Sequence, residues 1–174
     1  MGREVRRVPA GWAHPKDEKG RWIPLLKGSF VQHDADWNEQ YAKWRDGLVS
    51  DYETRGWKPK PPDAPYRMKD WYGGGRPDPD DYMPAWSKAE RTHWQMYENV
   101  SEGTPISPVM ETPEALARWL ADSKADAAAG RTASYAQWLA TIRVGGAPSL
   151  VTGRHGLVSG VEFVGGVDPQ GAAP

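Results

Sequence analysis

Hydrophobic and polar positions alternate most clearly where Trp94, Met96 and Glu98–Val100 approximate a period of two, with Tyr97 on the opposite side. That pattern predicts a strand with both faces in contact with something. Ser101-Glu102-Gly103-Thr104-Pro105 then interrupts it, because Gly103 is free to take positive φ and Pro105 holds Thr104 extended. Ile106–Met110 is a short apolar run whose Pro108 confines it to an edge or irregular strand. Thr112-Pro113-Glu114 predicts a helix start, and Leu116, Trp119 and Leu120 share one face at i, i+3, i+4.

The same helical spacing recurs twice. Trp37, Tyr41, Trp44 and Leu48 predict a helix over 34–48 capped by Asp34 or Asp36. Tyr135, Trp138, Leu139 and Ile142 predict another over 134–143, ended by Gly145-Gly146. Ser87–Glu90 matches a capping box. Leu150-Val151 and Leu157-Val158 flank a glycine-bearing loop and predict a hairpin, with Val161–Val164 prolonging the second strand past a bulge at Gly160. Residues 49–86 alternate proline, glycine and charge. They predict extended or polyproline segments anchored by Trp57, Tyr66, Trp71, Tyr82 and Trp86, with Gly73–Gly75 as a hinge.

The expected fold class is α+β: a small antiparallel or mixed sheet with two C-terminal helices on one face. An N-terminal amphipathic helix and long Pro/Gly-rich irregular segments complete it. The expected division is an aromatic-rich arm over 1–90 with one helix and extended segments, a compact α+β module over 91–164 and a flexible tail over 165–174, together one globular unit.

Composition narrows the chemistry. The chain has 174 residues and a formal net charge of −1, so global charge argues neither for nucleic acid nor for a membrane surface. It has no cysteine, which excludes disulfides, thiol catalysis and thiolate zinc sites. The N-terminal stretch lacks an apolar signal region and no run reaches the length of a membrane span, so no membrane partner is expected. With ten tryptophans but two phenylalanines, indole rings must supply much of the core, and each brings an N–H that needs an acceptor.

Candidate chemistry is sparse. Arg3, Arg6 and Arg7, with Trp12 and Trp22, read either as a basic arm for nucleic acid or as an edge strand, residues 4–8, with solvated arginines. Glu102, Thr104 and Ser107 lie in SEGTPISP, which reads as a binding loop or as a plain hairpin connection. A phosphate loop would want several glycines opening a helix, and this stretch has one. Asp78, Asp80 and Asp81 begin like a calcium loop, but Pro79 and Tyr82 break the register and no glutamate closes it. His14, His33, His93 and His155 have no zinc spacing, and no nucleophile elbow occurs. No cofactor, metal site or catalytic residue is therefore expected. An enzyme with a dispersed site on the C-terminal sheet, using Glu98, Glu102 and His155, is the least favoured reading.

MGREVRRVPAGWAHPKDEKGRWIPL, PDPDDYMPAW, HWQMYENVSEGTPISPVMETPEALARWLAD, TASYAQWLATI and GAPSLVTGRHGLVSGV carry a resemblance. The chain resembles a family of small proteins of tailed bacteriophages and prophages of Gram-negative bacteria. That resemblance implies action in the cytoplasm of the infected bacterial host. It implies no activity and transfers no site residues. Taken with the absence of catalytic motifs, it makes a non-enzymatic accessory protein the leading expectation. Such a protein would bind a host or phage protein, a host-defence component being one case, with nucleic acid as the alternative partner. Homo-oligomeric state has no sequence signature here.

Overall fold

The computed structural model describes residues 2–99, 103–153 and 156–166. Contacts divide the chain into two units, one of residues 1–25 and 85–174, the other of residues 26–84. The boundary expected at residue 90 therefore does not coincide with the division of contacts, because the first strand belongs with the C-terminal module.

In the first unit, strand β1 (Arg3–Val8) pairs antiparallel with β4 (His93–Glu98), setting Val5 opposite Met96 and Arg6 opposite Gln95. β5 (Thr104–Pro105) borders β4, and β6 (Gly146–Ala147) borders β1, giving the order β5-β4-β1-β6. The first strand forms as residues 4–8 suggest, but between neighbours rather than at an edge. Gly146 permits the pairing on that side, since a Cβ there would stand 2.6 Å from the Arg3 carbonyl oxygen. Beyond β5, Ile106 N–H donates to the Met96 carbonyl and Met110 bridges Trp94, so the run over 106–110 is the expected irregular edge.

Helices α3 (Pro113–Asp122) and α4 (Tyr135–Val144) start and stop by the expected chemistry. Thr112 caps α3 by accepting from Ala115 N–H. Ser134 and Gln137 form a capping box on α4, and Gly145 ends it in the left-handed region. Both helices lay Leu116, Leu120, Trp138 and Ile142 against Val5 and Met96 on one face of the sheet.

Two C-terminal expectations change. β7 (Leu150–Gly153) and β8 (Gly156–Ser159) form the expected hairpin, but as a separate two-stranded sheet. Residues 160–166 are helix α5 (Gly160–Gly166), not a prolonged strand. Glu162 N–H donates to Ser159 Oγ and the Glu162 carboxylate accepts from Ser159 N–H. That capping box outweighs the strand preference of its valines. The expected tail lies, from residue 167 on, outside the described residues.

In the second unit, helix α1 (Phe30–Arg45) begins four residues before Asp34, because Ser29 Oγ accepts from Gln32 N–H and supplies the cap. Asp34 instead holds Arg76 through two hydrogen bonds of 2.7 and 3.1 Å. Residues 48–59 form a hairpin of β2 (Leu48–Asp51) and β3 (Gly56–Pro59) rather than polyproline. A short helix α2 (Met68–Tyr72) ends on Gly73 at φ +77, which makes that glycine a helix stop. Trp44, Val49 and Met68 form the core, with Trp37, Ala64 and Tyr72 against it. Tyr82 is buried as expected of an anchor, but Tyr66 is 97% exposed and anchors nothing.

Core truncation and cap loss should separate cleanly in urea denaturation. Leu120→Ala should cost about 2–5 kcal/mol, since it opens a cavity at a fully buried position. Thr112→Ala should cost about 1 kcal/mol, the worth of one cap.

Candidate functional site

The second face of the β1–β4 pair carries the polar chemistry. Strand alternation places Arg6, Gln95 and Tyr97 there, away from α3 and α4. The segment 9–25 crosses this face and is fastened by side chains. Arg6 Nη1 donates to the Leu25 carbonyl at 2.7 Å, and Arg6 Nε pairs with Glu4 at 3.2 Å. The Arg6 guanidinium also lies 4.3 Å from the Tyr97 ring centroid. Leu25 N–H donates to the Gly103 carbonyl. Gly103 adopts φ +59, and a Cβ there would clash with the Leu25 carbonyl oxygen, so glycine is required twice over.

Tyr97 is the hub. Its hydroxyl oxygen stands 2.8 Å from Gln95 Oε1, 3.0 Å from Trp12 Nε1 and 3.2 Å from His14 Nδ1. Gln95 Nε2 donates to the Ser107 carbonyl, and Ser107 Oγ accepts from Met96 N–H, so Ser107 fixes the amide that faces the phenol. Burial pushes the Tyr97 hydroxyl up to about 12, against the lowering effects of its Trp12 hydrogen bond and of Arg6. Burial also lowers the His14 pKa, opposed by its hydrogen bond to the Ile23 carbonyl and assisted by the Arg6 charge.

Aromatic rings cover this network. Trp12 meets Trp86 edge-on at 4.7 Å, and Trp22 meets His14 edge-on at 5.6 Å. Lys16 Nζ sits 4.0 Å from the Trp22 ring centroid. Trp22 and Ile23 remain 42% and 38% exposed.

The structure brings together four of the expected site residues, Arg6, Trp12, Trp22 and Ser107, whereas Thr104, opposite Glu98, falls on the helix side of the sheet with Arg3. Thr104 is buried in β5 opposite Glu98. Arg3 and Arg7 lie on the helix side of β1. Arg3 is 2% exposed, with Nε donating to the Asp126 carbonyl and Nη2 pairing with its carboxylate at 3.0 Å. Arg7 is exposed, spans to the Arg91 and Thr92 carbonyls and covers the Trp94 ring. Solvated arginines are expected along β1, and Arg3 and Arg6 depart from that because the chain at Asp126 and the segment over 9–25 cover the two faces at those positions. Glu102 and His155 lie outside the described residues.

His14, Gln95 and Tyr97 are the residues that sequence reasoning missed as a group. Tyr97 and Gln95 share a strand face by alternation, but nothing in the spacing joins His14 to them. Among the described residues, no group of three His, Asp or Glu side chains could hold a metal ion. In the second unit, an open groove of about 500 Å³ lies between α1 and the β2–β3 hairpin, lined in part by Asp36, Glu39, Tyr52 and Trp57. Compared with known proteins, no family model, curated protein or solved structure matches the chain.

The lowered His14 pKa sets a sign for stability against pH. The unfolded chain takes up this proton near the ordinary value of 6.5, whereas the folded chain resists it. Stability from His14 is therefore present above pH 6.5 and declines as pH falls from there through the lower folded value. Urea midpoints between pH 7 and pH 5 should drop more for the native chain than for His14→Gln.

Proposed function

We propose that the chain is a protein-binding module without catalytic activity. Its contact surface is the exposed Trp22–Ile23 edge of the aromatic cover, and its partner is a host or phage protein in the cytoplasm of an infected bacterium. The observation that carries this reading is the pair of exposed apolar side chains, Trp22 and Ile23, on a segment already tied to the sheet. A large aromatic side chain held in place before binding loses little conformational freedom on docking, which favours it as an anchor. Neighbouring Lys16 and Arg21 give the edge a basic rim; Arg21 is paired with Asp17 at 2.7 Å. The phage setting and the cytoplasmic location rest on the sequence resemblance. For the membrane, the finding is that no helix among the described residues is long and apolar enough to cross one.

The nucleic-acid alternative loses much of its support. Two of the three arginines it relied on are buried and paired, leaving Arg7 as the exposed one. Phosphate binding needs several cations that can reach the backbone.

Tagged protein purified from infected cells should recover one protein in stoichiometric amount. The double variant Trp22→Ala, Ile23→Ser should lose it at least tenfold while keeping the native circular dichroism. Recovery of nuclease-sensitive nucleic acid, unaffected by that variant, would contradict the reading.

A further inference from the structure

The contacts around Tyr97 dictate where protons sit. Gln95 Nε2 donates to the Ser107 carbonyl at 2.9 Å, which turns Gln95 Oε1 toward the phenol. An amide oxygen only accepts, so that contact is a hydrogen bond only when the phenol proton points at Gln95. Trp12 Nε1 only donates and takes one lone pair of the phenol oxygen. His14 Nε2 stands 2.7 Å from the Ile23 carbonyl oxygen, so it carries a proton. A neutral imidazole has no second N–H, and its Nδ1, 3.2 Å from the phenol oxygen, can then only accept. The single phenol proton therefore faces two acceptors, His14 Nδ1 and Gln95 Oε1. An imidazolium removes the conflict, because its Nδ1–H donates to the phenol oxygen and leaves the phenol proton to Gln95.

We propose that His14, Tyr97 and Gln95 form a proton-operated switch. Neutral His14 takes the Tyr97 hydroxyl as its donor; protonated His14 donates to Tyr97 and turns that hydroxyl onto Gln95. One proton enters from solvent at Nδ1. The phenol keeps its own proton and only rotates about its C–O bond.

Two opposed effects keep the switch poised. Burial of the His14 ring and the Arg6 charge facing the same phenol disfavour the cation. The extra hydrogen bond favours it, because a buried acceptor left without a donor is costly. The charged groups facing the network among the described residues are Arg6 and its partner Glu4 from β1, and Lys16 over Trp22 from the covering segment. From β4 the groups on this face are neutral Gln95 and Tyr97 and, at the far end of the strand opposite Val8, the titratable His93; Ser107 from the bordering chain is neutral. Because Trp12 and Trp22 pack edge-on against the His14 ring, the proton state sets how the covering segment is fastened. The switch stands independently of any partner.

Nitrogen-15 and carbon-13 spectra of the native chain test it without a variant. At neutral pH the His14 ring should be the Nε2–H tautomer with an accepting Nδ1. On acidification Nδ1 should protonate with a midpoint below that of an unperturbed histidine, and the Tyr97 Cζ shift should move with the same midpoint. An Nδ1–H tautomer at neutral pH would overturn the proposal. So would a Tyr97 Cζ shift that stays flat through the His14 titration.

Discussion

The pairing of β1 with β4 is the constraint on which the first unit depends. It joins the two chain segments of that unit across some ninety residues, and its register decides both faces at once. With Val5 opposite Met96, one face presents apolar side chains to α3 and α4. The same register puts Arg6 beside Gln95 and near Tyr97 on the other face. A slip of one residue would exchange the two sets, setting arginine against Leu116 and Leu120 and valine against the phenol network.

Burying two guanidinium groups in a small sheet is costly unless each is met by acceptors. Arg3 is met by the Asp126 carboxylate and carbonyl, and Arg6 by Glu4 and the Leu25 carbonyl. Each arginine therefore ties β1 to a different piece of chain, Arg3 to the turn after α3 and Arg6 to the covering segment. Arg3 and Arg6 thus serve as cross-links in the fold, and the covering segment leaves Trp22 and Ile23 exposed beside Lys16 and Arg21.

Much of this was legible in the sequence where local chemistry acts alone. Thr112-Pro113, Ser134 with Gln137, and Gly145 set the helix bounds because caps need only neighbours. Ser87 and Glu90 form both expected capping bonds although only a turn results. The positive φ of Gly103 was legible too, but the Leu25 carbonyl that makes glycine necessary was not, since it comes from seventy-eight positions away. The same limit hid the site. Alternation puts Gln95 and Tyr97 on one face, yet only the fold brings His14 and Trp12 to them. The burial of Arg3 and Arg6 was misjudged for a related reason. A strand rich in arginine reads as solvated until the pieces of chain that cover its faces, around Asp126 and over 9–25, are known. At the C-terminus the signal is local, because the Ser159–Glu162 capping box stands in the sequence and competes with the strand preference of the neighbouring valines.

Removing residues 2–8 tests the central claim most directly, with thermal unfolding of the truncated chain followed by near-ultraviolet circular dichroism of its tryptophans. If β1 is an interior strand, the first unit should lose its cooperative transition, and the signals of Trp12, Trp86 and Trp138 should collapse together. A transition and near-ultraviolet spectrum indistinguishable from those of the full chain would mean that these residues are a dispensable arm, and would contradict the account.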